Sequence, residues 1–379
     1  MKVVIAIDSF KGSLSSLEAG DAIKQGILRV YKDASVVVRP LADGGEGTAS
    51  ALTEGMGGKW VDVTVTGPLG DKVKAGYGMI ESSGTAIMEM SAAAGITQVP
   101  AAKRNPMHTT TYGVGEMIVS AIRNGCRKFI IGIGGSATND GGIGMLQALG
   151  YEFLNKDGKP VGYGAQGVSE IVSIKTDKVL PELAQCSFKI ACDVNNPLCG
   201  EKGCSAIFGP QKGATEQMVK DMDGYLKAYG ELTQKTFSKA DMIYPGTGAA
   251  GGLGFAFLSY TNAVLQSGIH IVLEETRLDD YVKDADIVIT GEGRLDAQTV
   301  MGKAPVGVAE VAKKHGKKVL AFSGCVTKDA TACNEAGIDA FFPILRAVVS
   351  LDEAMEADNA RANMADTVEQ VFRTIKSFS

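Results

Sequence analysis

Unbroken apolar runs mark both ends of this chain, and alternating ones mark its middle. The first run, VVIAID over 3–8, closes on an acid, Asp8. SSLEAGDAIKQGILRVY follows, with Ala19, Ile23, Ile27 and Val30 at helical spacing and Ser15 and Glu18 related as in a capping box. SVVVRPLA over 35–42 reads as a second strand. Strand, helix and strand make a βαβ unit. Neither strand alternates with polar residues, as expected of parallel strands covered on both faces. The C-terminal part repeats the style. DIVITGE (286–292), VLAFSG (319–324) and AFFPI (340–344) read as buried strands, and a helix is expected near Pro305. Met364, Val368, Val371, Phe372 and Ile375 share one face of a closing helix.

The middle has another period. From Trp60 to Met90 the sequence alternates and turns repeatedly, which predicts antiparallel hairpins. A helix over Val114, Ile118, Ala121 and Ile122 leads to a strand at Phe129–Ile131, and that strand runs into GIGGSATNDGG (132–142). KIACDVNNPLCG, IFGPQKGA and GTGAAGGLG (246–254) follow, the last opening a further helix. The pattern predicts an α/β protein of two domains. A discontinuous Rossmann-like parallel-sheet domain takes residues 1–65 and 284–379, and an inserted mixed α/β domain takes 66–283. Ligand sites favour domain interfaces and the carboxyl ends of parallel strands, so the active site is expected in the cleft between the two.

Composition removes several classes of function. The 379 residues are 45% hydrophobic, enough for a large core, and carry a net charge of −5. There is no basic patch or Arg-rich run, so nucleic-acid binding has no electrostatic support. No apolar stretch reaches the roughly eighteen residues a membrane span needs. MKVVIAIDSFKGS reads as a first strand rather than a signal peptide. Seven cysteines without a CxxC argue against a disulfide framework or a zinc site and fit a reducing cytoplasm; Cys199 and Cys204, the closest pair, read as bystander thiols. His108, His270 and His315 lie too far apart in sequence for a His-rich metal site. No heptad pattern or apolar stripe marks an interface, and a homodimer is left open as a partner state.

Polar residues gather where the buried strands end. Asp8, Ser9 and Lys11 follow the first strand, and Asp43 and Glu46 follow the second. Glu292, Arg294 and Asp296 follow DIVITGE, and Asp193 and Asn195 follow KIAC. One such residue is ordinary helix capping. Parallel strands bring their carboxyl ends together, and glycines accompany the acids in ADGGEGT, GGSATNDGG and GEGR. Each could be only a tight strand-to-helix turn; together they point to an anion site. No Walker A pattern exists: Lys303 in MGKAP lacks the upstream glycine. Gly132, Gly134 and Ala137 loosely fit a dinucleotide fingerprint, but the acid at the right distance, Glu152, opens the next strand instead of closing it. An NAD-dependent dehydrogenase and a non-catalytic anion-binding protein stand as alternatives to a nucleoside-triphosphate enzyme. Against the first, none of the three histidines lies in a motif-rich loop; against the second, a pure anion receptor would hardly carry so many acids.

Read together and in order, IAIDSFKGSLS, PLADGGEGT, GIGGSATNDGG, CDVNNPLCG, FGPQKGA, GAAGGLG and ITGEGRLDAQTVMGKAP resemble the bacterial glycerate kinases of the type-1 family. The resemblance runs from Met1 to about Pro343; the last 30 or so residues carry no motif. It implies phosphorylation of D-glycerate by ATP with magnesium, in a two-domain α/β fold whose first domain is discontinuous. The 2-hydroxyl as acceptor is implied by the resemblance alone; the two hydroxyls are adjacent, and 3-phosphoglycerate stays open as the product.

Chemistry suggests roles. Phosphoryl transfer needs neutralised phosphate charge, a metal held by carboxylates, a positioned hydroxyl and a proton acceptor. Lys11 is the first choice for a cation beside the transferred group. Asp193 is the preferred base, facing the hydroxyl, with Asp8 as the other candidate, and Asp43, Glu46, Asp140, Glu292 and Asp296 are candidates for the metal. Arg294 is the preferred clamp for the glycerate carboxylate, with Arg104 as the alternative and Ser9 and Asn195 beside the substrate. Gly134, Gly135, Ser136, Thr138 and Asn139, with Gly251 and Gly252 of the second glycine run, are expected to cradle the nucleotide. Lys212 lies either in the same cleft or on the surface.

Overall fold

The computed structural model describes residues 1–42 and 47–378. In chain order its strands are β1 (Lys2–Ile7), β2 (Ser35–Pro40), β3 (Lys59–Thr66), β4 (Lys72–Ile80), β5 (Thr85–Glu89), β6 (Lys128–Gly132), β7 (Glu152–Leu154), β8 (Ser173–Lys175), β9 (Ser187–Ala191), β10 (Ala263–Gln266), β11 (Ile287–Leu295), β12 (Lys318–Val326) and β13 (Ala340–Pro343). They sort into two units. The first comprises Met1–Asp43, Glu54–Met56 and Ile269–Ser379, the second Gly44–Thr53 and Gly57–Gly268.

The first unit is built on a sheet of order β13-β12-β11-β1-β2, parallel throughout. From β1 the chain moves one way to β2 and later returns on the other side at β11. Strand order therefore reverses between β1 and β11, and a crevice opens at their carboxyl ends. Val3, Ile5 and Ile7 of β1 alternate onto one face, where they meet Ile23 and Ile27 of the helix Ser16–Val30 and Met364, Val368 and Phe372 of the helix Ala357–Ser377. Each such buried side chain stabilises the fold by roughly 1.5–3 kcal/mol. The first helix starts where its capping box lies: the Glu18 amide donates to Ser15 Oγ at 3.2 Å and the Ser15 amide to Glu18 Oε2 at 2.9 Å. The two helices approach closely at Gly26, where a Cβ would sit 2.4 Å from the Ala365 carbonyl oxygen.

The second unit holds a mixed sheet of order β10-β9-β6-β5-β4-β3. Strands β5, β6, β9 and β10 are parallel, and β3, β4 and β5 form the antiparallel hairpins that the alternating stretch predicts. A short antiparallel pair, β7–β8, stands apart. The core packs Phe129 and Ile131 of β6 and Phe188 and Ile190 of β9 with Met117, Ile118 and Phe257 from helices. β3 pairs with β4 along eight residues, so 57–65 go with this unit and not with the N-terminal segment. Residues 269–283 go with the first unit. The chain thus forms a discontinuous parallel-sheet domain with a mixed α/β domain inserted.

Candidate active site

Six of the expected site residues meet at the switch point of the first unit. Asp8, Ser9 and Lys11 at the end of β1 and Glu292, Arg294 and Asp296 on β11 and just after it line one pocket of about 540 Å³. The Asp8 amide donates to the Gly291 carbonyl at 2.9 Å, which ties the two strand ends together. Asp8 is buried, and its Oδ1 accepts from the Ser9 amide at 2.7 Å. Past Lys11 the loop folds back on itself, with Phe10 and Leu14 exchanging backbone hydrogen bonds of 2.8 and 3.0 Å across Gly12, whose φ is +81°. The opposite wall is apolar and includes Ile344, Leu345, Leu351 and Met355.

Charges in this pocket are interleaved. Glu292 accepts from Thr299 Oγ1 at 2.7 Å and lies 3.5 Å from Lys303 Nζ, which also approaches Asp296 at 3.8 Å. Burial pushes the Glu292 carboxyl above its ordinary pKa, against the opposing pull of Thr299 and Lys303. Arg294 contacts Asp296 at 3.3 Å with 64% of its side chain open to solvent, against 33% for Lys303. Asp296 keeps Lys303 and the Gln298 amide (2.9 Å) if Arg294 turns away. Arg294 can therefore turn away without leaving that carboxylate unpartnered. Lys303 was visible in the sequence only as a failed Walker lysine. Its signal was there all the same: it lies in the same post-strand segment as GEGRLD, eleven residues after Glu292.

The glycine turn after β6 divides into an exposed half and a buried one. Gly134 and Gly135 are exposed and, with Gly132, line a pocket of about 460 Å³ together with Trp60, Lys74, Glu89, Ser91 and Gln98. Gly135 has φ +72°, and a Cβ on Gly134 would meet nothing within 4 Å. Among the described residues the amides of Gly134, Gly135 and Ser136 have no hydrogen-bond acceptor. Three successive unpaired amides bent through a left-handed residue make a nest for an anion. Glu89 closes an apolar strand in the same manner as Asp8, and that position is its signal in the sequence.

The other half of the turn is spent on the protein itself. Thr138, Asn139 and Asp140 are fully buried. Asp140 Oδ2 accepts from the Thr111 amide and hydroxyl, both at 2.8 Å, and Oδ1 from the Gly142 amide at 3.1 Å. Burial raises the Asp140 pKa, opposed by these donors. With both oxygens engaged and no surface exposed, Asp140 braces the turn and is not placed to bind a metal. Asn139 donates to Ser205 Oγ at 2.9 Å. Lys212, left between cleft and surface by its sequence, is only 2% exposed and reaches the turn from behind, donating to Ser136 Oγ at 2.9 Å and to the Thr138 carbonyl at 2.6 Å.

Gly251 and Gly252 serve packing. The run expected to open a helix is left-handed at Ala250, Gly251 and Gly252, with φ of 52°, 67° and 94°, and the regular helix begins after them. A Cβ on Gly251 would lie 2.1 Å from the Thr138 carbonyl oxygen, and the Gly141 amide donates to the Gly251 carbonyl at 2.9 Å. These glycines let two turns of the protein touch, so there is no room for a ligand against them. Asp193 and Asn195 are exposed after β9, and Asp193 Oδ1 accepts from the Gly268 amide at 3.0 Å. Arg104 is half-buried, with Nε 3.4 Å from the Val99 carbonyl. None of these three lines either pocket. Asp43 and Glu46 lie outside the described residues.

Comparison with known proteins adds an independent finding. The model of the glycerate kinase family matches residues 3–376. The glycerate kinase of Haemophilus influenzae is 49% identical over 375 residues, covering 99% of each chain. The glycerate 2-kinase of Escherichia coli is 45% identical over 373 residues, covering 97% of this chain and 98% of that one. A crystal structure named for glycerate kinase 2 of Salmonella typhimurium superposes with a TM-score of 0.92 at 44% identity, covering 100% of this chain and 98% of the other.

Proposed function

The chain belongs to the glycerate kinase family, and from that premise we propose that it transfers the terminal phosphoryl group of ATP to D-glycerate, giving 2-phosphoglycerate and ADP. The observation that carries this reading is the pocket where Asp8, Lys11 and Arg294 converge at the carboxyl end of a parallel sheet. A small hydroxy acid offers one carboxylate and two hydroxyls. Arg294 can grip the carboxylate with two parallel hydrogen bonds. Asp8 accepts the proton of the 2-hydroxyl as its oxygen bonds to phosphorus and the bond from phosphorus to the ADP oxygen breaks. Lys11 neutralises charge on the moving group. Such a transition state has little covalent chemistry to catalyse, so positioning and charge do most of the work. Asp8 takes the role of base over Asp193 because it shares a pocket with Arg294 and Lys11. The name glycerate 2-kinase borne by the Escherichia coli relative supports the 2-position.

The amide nest at Gly134–Ser136 is assigned to a phosphate of the nucleotide. Among the described residues no three His, Cys, Asp or Glu side chains meet in a group that could hold a metal ion by themselves. Magnesium delivered on the triphosphate keeps most of its ligands as phosphate oxygens and water and needs only one or two carboxylates. Glu292 and Asp296, the metal candidates that line this pocket, would hold it, and the ion would neutralise phosphate charge. All seven cysteines are free thiols, which supports a reducing compartment such as the cytoplasm. Among the described residues no helix is long and apolar enough to cross a membrane.

An ADP-coupled assay tests the reading. ATP with D-glycerate should release ADP far above the rate with ATP alone, and glycerol, which lacks the carboxylate, should not substitute. Equal rates with and without D-glycerate would overturn the proposal.

A further inference from the structure

Lys212 is unusual among the charged residues of this protein. Its ammonium is buried, yet its hydrogen-bond partners are a hydroxyl and a carbonyl, both neutral. A buried charge normally keeps an ion-pair partner, because desolvation costs several kcal/mol that neutral groups offset only in part. The ionisable groups near it are Asp140 and Cys204. Asp140 acts on the ammonium through space and raises its pKa against burial, but forms no direct ion pair with it, and burial drives the Cys204 thiol up to about 12, so it stays neutral. An ammonium only donates, so Ser136 Oγ is the acceptor in its bond to Lys212. The Ser136 hydroxyl proton must point elsewhere, and among the described residues it has no acceptor. It stands beside the unpaired amides of Gly134, Gly135 and Ser136.

We propose that Lys212 is a positioning residue for the phosphate site of the glycine turn, aiming the Ser136 hydroxyl outward as a donor and supplying the positive charge behind the bound phosphate. This rests on the assignment of the nest to a nucleotide phosphate, and it goes further by making a residue that no ligand touches responsible for nucleotide affinity. A protonation linkage follows from the geometry. Burial lowers the Lys212 pKa to about 8 in the free protein. An anion bound in front of it favours the ammonium and raises that value. Just above pH 8, binding must therefore draw in a proton, and affinity must fall as pH rises through that range.

Calorimetric titration of the full chain with ADP and magnesium, in two buffers of different ionisation enthalpy, reads this directly. The wild type should take up a fraction of a proton per ADP at about pH 8.5 and much less at about pH 7. Lys212→Met should weaken ADP binding at least about tenfold at neutral pH, abolish the proton uptake, and leave the KM for D-glycerate within about twofold. Ser136→Ala should weaken binding too, and the two changes together should cost less than the sum of each alone, because one acts through the other. A folded Lys212→Met protein with wild-type ADP affinity would overturn the proposal, as would a rise confined to the KM for D-glycerate. If Lys212→Met fails to fold, absence of proton uptake by the wild type is the overturning result, and it needs no variant. ADP formation from ATP and D-glycerate by the wild type is measured separately. Its absence would count against the proposed function, whereas an active wild type with no proton uptake would sink only the role of Lys212.

Discussion

Replacing Gly251 with alanine should damage the protein in a way that can be sized from the structure. Gly251 sits at φ +67° and ψ 34°, in the left-handed region, where an L-residue pays about 1–2 kcal/mol. Its new Cβ would then lie 2.1 Å from the Thr138 carbonyl oxygen and 2.6 Å from Asn139 Cα, where ordinary contact begins at 3.4 Å. Both atoms are backbone, held by the buried turn, so neither can rotate aside as a side chain could. Overpacking of this kind adds about 1–3 kcal/mol. The expected total is about 2–5 kcal/mol, a large part of the stability of an ordinary domain. Urea unfolding of Gly251→Ala beside Gly224→Ala provides the measurement. Gly224 lies within the helix Glu216–Thr236 with nothing within 4 Å of its Cβ position, so its replacement should be neutral or stabilising by up to about 1 kcal/mol. The Thr138 oxygen that must move is also an acceptor for Lys212, so Gly251→Ala should raise the KM for ATP as well. A Gly251→Ala protein within about 1 kcal/mol of the wild type would refute the view that the two turns are packed backbone to backbone.

Arg294→Lys keeps the charge but loses the two-pronged grip, and should raise the KM for D-glycerate at least about tenfold with the KM for ATP little changed; parallel changes in both constants would contradict the clamp. Lys11→Met should lower kcat by about two orders of magnitude or more while leaving the urea midpoint in place, and near-normal turnover would remove Lys11 from the mechanism. Glu292→Gln should show a pH-dependent gain in stability. The folded carboxyl pKa is raised, so the ionised form is disfavoured in the folded state; that cost is present above the folded pKa and is relieved as pH falls through it toward the unfolded value of 4.5. The variant should therefore be more stable than the wild type near neutral pH, lose that advantage below about pH 4.5, and turn over more slowly. A stability difference independent of pH would contradict this assignment.

How far the sequence led depends on whether the determining contact was local. The helix Ser16–Val30 was legible because its cap and its buried stripe lie within fifteen residues of each other. The hairpins of β3–β5 were legible for the same reason, since period-two alternation and turn residues are local signals. Membership was harder: β3 looked attachable to the N-terminal strands until its ladder with β4 decided otherwise. The pocket of the first unit was legible in its parts, because polar residues after buried strands carry a positional meaning. The depth of the second site has no local signal. A glycine that meets a phosphate and a glycine that meets another backbone look alike in sequence, which is why the sequence alone points to a cradle at Gly251 and Gly252. Polar residues are ordinarily on the surface, so nothing local marked Thr138, Asn139, Asp140 and Lys212 as interior. Their burial is set by segments far away in the chain, Thr111 and Ser205 among them.

The central claim is that this pocket directs phosphate to the 2-hydroxyl of D-glycerate, and phosphorus NMR of the product tests it most directly. In 2-phosphoglycerate the phosphorus is coupled through oxygen to a carbon bearing one hydrogen, and in 3-phosphoglycerate to a carbon bearing two. A proton-coupled spectrum of the reaction of ATP, magnesium and D-glycerate should show a new phosphomonoester doublet growing as the terminal ATP signal declines. A triplet would contradict the placement of the substrate, and loss of the ATP signal to inorganic phosphate alone would contradict the transfer itself.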